Sequence, residues 1–177
     1  NHRDRGGSDS SFGGGLLSES RAEIDGQSTK RWLEQTLRAL QAMPNVRLLS
    51  RTTVFGYFQQ NFLGLVERLT DHLPQTSAGE ARERLWQVRA NRVILATGAI
   101  ERPLVFPGND RPGIMLSSAA RTYLNRQGVL VGKSVVLFTS DDAAYQTAID
   151  LHHAGATIIA IADLRDNPDG AGVEQAR

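Results

Sequence analysis

Apolar residues recur at helical spacing in the first third of the chain. After Ser28, whose hydroxyl suits an N-cap, the apolar positions of the segment Trp32–Leu40 share one face and predict a helix over residues 29–43. Pro44 stops this helix, and residues 46–49 then have the pattern of a short strand. The pattern therefore predicts a helix followed by β structure.

β-Branched and aromatic residues fill two neighbouring segments, 52–58 and 62–69, and strand character returns at 85–88. This order predicts an antiparallel β-meander over about 52–89. We expect the aromatic side chains of the meander to lie in the core. The alternative is that they stack on a base or a flavin. These side chains are Phe55, Tyr57, Phe58 and Phe62.

The segment Arg92–Gly113 combines a strand pattern with small residues. The apolar run Val93–Leu95 predicts a buried strand, and it ends in Ala96, Thr97 and Gly98. Short side chains at the carboxyl end of a core strand let the backbone approach a phosphate or a ribose. A tight turn that needs Gly98 is the alternative, because a short glycine motif is weak evidence by itself.

A second α/β unit follows. Residues 116–127 predict a helix with Gly128 as its C-cap, and the order strand 134–139, helix 142–153, strand 157–162 is a βαβ unit. Such a unit is half of a nucleotide-binding fold.

The turn of this βαβ unit, residues 139–144, lacks the glycines of a GxGxxG fingerprint. Asp141 and Asp142 at the helix N-terminus would repel a pyrophosphate, and either carboxylate suits an N-cap. We interpret the second unit as a scaffold or a degenerate nucleotide site.

Composition sets the class of protein. The 177 residues are 40% apolar and 22% charged with a formal net charge of +1, values typical of a globular protein without a polyanionic partner. The absence of cysteine excludes disulfides, thiolate metal sites and a CxxC redox centre. No apolar run reaches the roughly 18 residues that span a bilayer, and no signal-peptide core is present, so we expect a cytoplasmic location.

No hydrolase, kinase or calcium-site motif occurs, and we expect His152 and His153 to be surface residues at a helix end. The sequence therefore predicts neither catalytic residues nor a metal site. Because the chain starts at Asn1 without an initiator methionine, we interpret it as part of a longer polypeptide.

The order of these elements resembles two-dinucleotide-domain flavoproteins, and one family in particular shares its motifs. The chain is similar, from Phe12 onward, to the α subunit of bacterial heterotetrameric sarcosine oxidase. The matching motifs are Ala96–Pro103, Phe106–Gly108, Arg111–Ile114, Ser117–Gly128, Gly132–Lys133, Asp142–Tyr145, Ala148 and Asp150–Leu151.

This resemblance implies an α/β, Rossmann-like FAD/NAD(P)-binding fold with an inserted β-meander and a second, degenerate βαβ unit. Residues 1–115 would be part of a dinucleotide-binding domain that lacks its first strand, and residues 116–177 an incomplete second unit. The family's α subunit binds NAD, carries a folate-binding region and helps to enclose flavin (FAD or FMN) with other subunits of a hetero-oligomer. The resemblance thus implies an oxidoreductase subunit in which this segment is non-catalytic and amine oxidation occurs at flavin elsewhere.

Residue by residue, the resemblance implies three groups of cofactor contacts. Gly13 and Gly14 match a Gly-Gly pair near the cofactor, and Thr53 and Val54 match a strand end beside the adenine. Ala96, Thr97 and Gly98 match the second phosphate-side turn. Arg102 has no assigned role, and the glycine run alone is also compatible with a flexible linker.

Two alternatives remain open. Related opine and cyanide-forming oxidases share Ala-Thr-Gly followed by Arg-Pro, so a subunit of such an FAD/NAD(P)-dependent oxidoreductase is one. A structural module that kept the fold and lost its nucleotide is the other, favoured by the turn at 139–144.

Overall fold

A computed structural model of the chain describes residues 10–19, 21–75 and 77–176. They form two compact units, with boundaries at Leu16/Leu17, Ser20/Arg21 and Gly98/Ala99, so that Leu17–Ser20 belongs to the second unit. The assignment of residues 1–115 and 116–177 to two dinucleotide-type domains stays a prediction.

The first unit contains a helix, a two-stranded ribbon and a three-stranded sheet. Ser28 is the N-cap of the helix, as predicted, since its hydroxyl accepts a hydrogen bond from the backbone N–H of Arg31 at 3.4 Å. In chain order the elements are a 3-10 helix Gly14–Ser18 that continues into the second unit, β1 Glu23–Ile24, β2 Gln27–Ser28, α1 Thr29–Ala42, β3 Thr52–Phe58, a 3-10 turn Gln59–Asn61, β4 Phe62–Arg68 and β5 Glu83–Arg89.

Strands β3, β4 and β5 form an antiparallel sheet in that order, which gives the meander predicted over 52–89. Core placement of its aromatic residues is wrong for three of the four, because about half of each side chain is exposed: Phe55, Tyr57 and Phe58. Successive side chains of a strand point to opposite faces of the sheet, so some of them point away from any core. Even in the central strand β4, only Leu63 and Gly64 are buried.

Two predicted strands are absent from the described part of the chain. Residues 46–49 and 92–98 are irregular, and within the second segment Ile94 is 91% and Leu95 66% exposed, so the expected buried strand is wrong. A strand needs a neighbour for its backbone N–H and C=O groups, and no described strand pairs with Val93–Leu95.

The second unit is built on two parallel strands, in agreement with the predicted βαβ. Its elements are α2 Ser117–Gln127, β6 Ser134–Thr139, α3 Ala143–His153, β7 Thr157–Asp163 and α4 Ala171–Ala176. Gly128 ends α2 in the left-handed conformation at φ 67°, which confirms it as the C-cap.

The core of the second unit lies between α3 and the β6–β7 pair. Leu137, Ala144 and Ala148 are buried there, with Val135 and Ile161 among the partly buried residues around them. His152 and His153 are exposed in the last turn of α3, as predicted. None of the described helices is both long and apolar enough to cross a membrane.

Candidate functional site

The predicted glycine contacts begin the first 3-10 helix. Gly13 has φ 131° and Gly14 φ 51°, conformations that side-chain-bearing residues rarely adopt, and a Cβ at Gly14 would meet open space. The backbone N–H of Leu16 donates to the Gly13 carbonyl at 3.0 Å, so this stretch is a turn of helix and does not have the form of an extended linker. Gly14 and Gly15 are exposed in this turn.

The other predicted contacts lie in two further places of the first unit. Thr53 and Val54 pair with Val66 and Leu65 in the sheet, and about half of Val54 is exposed. Residues 96–98 are exposed and irregular, and Gly98 has φ 70° with no atom within 4 Å of the position that a Cβ would take. Among the described residues, no hydrogen bond joins the three groups, and their common role in cofactor binding stays a prediction.

The βα turn of the second unit carries carboxylates where a nucleotide fold carries glycines. Asp141 Oδ1 accepts a hydrogen bond from the Ala143 N–H at 2.9 Å. Asp142 occupies the N-cap position directly before α3, but its side chain makes no capping hydrogen bond. Of the two N-cap candidates, Asp141 therefore provides the capping oxygen.

A charged cluster closes the carboxyl ends of β6 and β7. Arg165 donates from Nη2 to Asp142 Oδ1 at 2.8 Å and to Asp163 Oδ2 at 2.7 Å, and Tyr145 Oη donates to the same Asp163 oxygen at 2.9 Å. The hydrogen bonds from Arg165 outweigh the burial of the carboxyl and hold the pKa of Asp163 well below its usual range. The sequence predictions missed this cluster, although an acid about 20 residues after the turn is a known feature of nucleotide folds.

Glu101 occupies the N-terminus of α2. One carboxylate oxygen accepts from the Ser117 N–H at 3.1 Å and its hydroxyl at 2.9 Å, and the other accepts from the Ser118 N–H at 2.8 Å. Partial burial opposes ionisation, but the hydrogen bonds from Ser118 and Ser117 outweigh it and lower the pKa of Glu101. The chain's own carboxylate therefore takes the anion position of this helix.

A cavity of about 660 Å³ lies in the second unit beneath the loop 101–116. Its floor is the core of the unit, including Leu137 and Ala144, and the ring of Phe106 meets that of Phe138 edge-on at 6.0 Å. Two polar groups at its wall are engaged within the chain: Glu101 by the start of α2, and Asn109, whose Nδ2 donates to the Leu104 carbonyl at 2.9 Å. None of the predicted contact residues lines this cavity.

An ionic network holds the segment 17–19 within the second unit. Arg121 donates from its two terminal nitrogens to both oxygens of Glu19, and Asn125 Nδ2 donates to the Ser18 carbonyl at 2.7 Å and to Asp150 at 2.9 Å. Burial opposes the charge of Asp150, but the hydrogen bonds from Arg121 and Asn125 outweigh it and lower the pKa of this carboxyl. No local pattern links residues so far apart, which is why the sequence did not predict the network.

Comparison with known proteins identifies the relatives of the chain. No family model matches it. The alpha subunit of a sarcosine oxidase from Rhizobium meliloti strain 1021 is 46% identical over 162 residues, which are 92% of this chain and 16% of that protein. The chain is homologous to one segment of the sarcosine oxidase alpha subunit. A second such subunit, from Corynebacterium sp. strain P-1, is 45% identical over 92% of this chain and 17% of its own length.

The resemblance to the sarcosine oxidase alpha subunit is thereby confirmed. The chain spans about one sixth of the length of these relatives. An opine oxidase subunit from Agrobacterium tumefaciens strain Ach5 is 33% identical over 77% of this chain and 26% of that protein.

One solved structure extends the comparison to the fold. L-proline dehydrogenase from P. horikoshii superposes with a TM-score of 0.66 over 92% of this chain and 31% of that chain, at 20% identity. At this identity the likeness concerns the fold alone, and it agrees with an α/β, Rossmann-like class. Insertion of the meander into such a fold stays a prediction.

Proposed function

We propose that the chain is the NAD-binding region of the alpha subunit of a sarcosine oxidase complex. In this complex sarcosine is oxidatively demethylated to glycine with formation of peroxide, and the one-carbon unit passes to tetrahydrofolate. The observation that carries the proposal is the 46% identity with such a subunit over 92% of the chain.

The backbone conformation at the predicted contacts of the first unit supports this proposal. Gly13, Gly14 and Gly98 all have positive φ, and a Cβ at Gly14 or Gly98 would lie in open space. Exposed main chain of this kind suits close approach by a phosphate. Ala96 and Thr97 would complete the turn, and Thr53 and Val54 would lie beside the adenine.

The chemistry belongs to other parts of the complex. NAD supplies hydride chemistry when bound, whereas amine oxidation takes place at flavin, FAD or FMN, outside this chain. We assign no catalytic residue to the chain, and its partners are the dinucleotide and the other subunits of a cytoplasmic hetero-oligomer.

Reconstitution of the intact subunit with its partners tests the proposal. We expect saturable NAD binding by calorimetry and sarcosine-dependent peroxide formation with full cofactor loading. A fully loaded complex that forms no peroxide from sarcosine would exclude this function. Peroxide formation without any NAD binding would leave the oxidase assignment standing and remove the role of this segment.

A component of an opine oxidase is the second candidate, supported by the 33% identity over 77% of the chain. The two candidates differ in substrate. Peroxide or reduced acceptor formed with an opine and not with sarcosine would decide for the second, as would a full-length polypeptide without a folate-binding region.

A further inference from the structure

The second unit has the layout of a nucleotide site without the space for one. In parallel α/β folds ligands bind outside the carboxyl ends of the strands, with phosphate at the first βα turn and ribose at an acid that ends the next strand. Asp142 stands at the turn after β6, and Asp163 ends β7. Both positions are engaged by the chain itself.

Arg165 is the group that engages them. Besides its Nη2 bonds to Asp142 and Asp163, its Nε donates to Asp163 Oδ1 at 3.1 Å and its backbone N–H to the same oxygen at 2.9 Å. The planar guanidinium thus bridges the phosphate-side carboxylate and the ribose-side carboxylate. A dinucleotide would have to displace it from both.

The chain after Arg165 fills the neighbouring space. A Cβ at Gly170 would overlap the Asp142 carboxylate, and a Cβ at Gly172 would lie 3.4 Å from the Cβ of Tyr145. The backbone therefore passes directly over the start of α3. It is fixed there by α4, whose Val173 is 2% exposed.

We propose that residues 164–172 form a strap that closes the β6–β7 edge to nucleotides, with Arg165 as its latch. Asp142, one of the two carboxylates that make the turn unfit for phosphate, binds the latch, and so does the ribose-side acid Asp163. The second unit is then an internally closed copy of a nucleotide fold, and it contributes no second dinucleotide site. This inference does not depend on the function proposed above.

Hydrogen exchange of the full-length protein, read peptide by peptide, tests the latch. We expect Arg165→Ala to accelerate exchange of the amides of residues 164–173 by about tenfold, because it removes charge-assisted bonds to two carboxylates. Arg165→Lys keeps the positive charge but not the planar set of guanidinium donors, and it should give a smaller acceleration. Lys133→Ala removes an exposed cation at the opposite end of β6 and should leave these amides unchanged. Equal exchange in Arg165→Ala and Lys133→Ala would overturn the proposal.

A second measurement uses the unmodified protein, so it does not depend on any variant that fails to fold. Millimolar ADP-ribose should leave the exchange of residues 139–144 unchanged. Saturable protection of those amides would show a working nucleotide site and overturn the strap. Protection of residues 13–14 or 96–98 bears instead on the proposed NAD region, so the two proposals can fail separately.

Discussion

Both carboxylate oxygens of Glu19 accept hydrogen bonds from the terminal nitrogens of Arg121, each at 2.7 Å, although the two residues are 102 positions apart. The third nitrogen of the guanidinium also donates, because Nε is hydrogen-bonded to Asp150 Oδ2 at 2.7 Å. The Asp150 side chain is 1% exposed, so its charge depends on these partners. Arg121 therefore joins α2, α3 and the segment 17–19, as Asn125 does through its bonds to Ser18 and Asp150.

Replacing Arg121 should destabilise α2 and α3 locally. Arg121→Ala leaves a buried carboxylate without its cation, and we expect the free energy of opening of α3 amides to fall by about 3 to 5 kcal/mol. Arg121→Lys should lower this free energy less. The lysine ammonium can still pair with Asp150, but it cannot donate to both oxygens of Glu19 from two nitrogens at the same time. Native-state hydrogen exchange measures both, with Lys133→Ala as the control. A loss below about 1 kcal/mol in Arg121→Ala would contradict a central role for the network.

Glu101 makes the start of α2 sensitive to acid. Its pKa in the folded chain lies below the ordinary value of 4.5, so its contribution to stability is complete above that value and is lost as pH falls through the folded pKa. Glu101→Gln should lower the opening free energy of the first turn of α2 at neutral pH and flatten its decline as the pH falls below 4.5.

Exchange of the Ser117 and Ser118 amides as a function of pH measures this effect. Glu34→Gln, which removes an exposed carboxylate of α1, corrects for the loss of one charge. An equally steep decline in Glu101→Gln and the unchanged protein would assign the acid sensitivity to other groups.

The elements that the sequence predicted correctly are those that local chemistry determines. Ser28 caps α1 because a hydroxyl can reach the N–H three residues later, and Gly128 ends α2 because glycine tolerates positive φ. Strand β3 has the predicted bounds, since β-branched and aromatic residues run without interruption from Thr52 to Phe58 apart from Gly56.

The features that could not be predicted depend on distant partners. Val93–Leu95 has the composition of a buried strand, but a strand forms only where another strand pairs with it, and periodicity does not report that neighbour. The same holds for Arg121, whose two carboxylate partners lie 102 and 29 positions away. Arg165 was within reach of sequence reasoning, because it lies two residues after the acid that ends β7.

Gly64 and Phe55 should be coupled in the meander. The ring of Phe55 lies against Gly64, where any added Cβ would overlap it, so Gly64→Ala must displace the ring. We expect a loss of about 1 kcal/mol in the opening free energy of β4, at the low end for overpacking, because the Phe55 ring is half exposed and can move towards solvent. In a Phe55→Ala background the same substitution should cost much less, and additive effects in this double-mutant cycle would show that the ring does not occupy the space.

Gly98 and Gly128 allow the cost of backbone strain to be separated from the loss of a ligand contact. Their φ angles are 70° and 67°, and a Cβ at either would meet nothing within 4 Å. Alanine at each should therefore cost a similar amount of stability, about 1 kcal/mol. Only Gly98→Ala should also weaken NAD binding, by about tenfold, because the new methyl group would occupy the surface where we place the phosphate. Calorimetric titration of both variants in the full-length protein measures this difference. Equal NAD affinity in Gly98→Ala and Gly128→Ala would mean that the turn at residues 96–98 is a structural turn and not a contact of the dinucleotide.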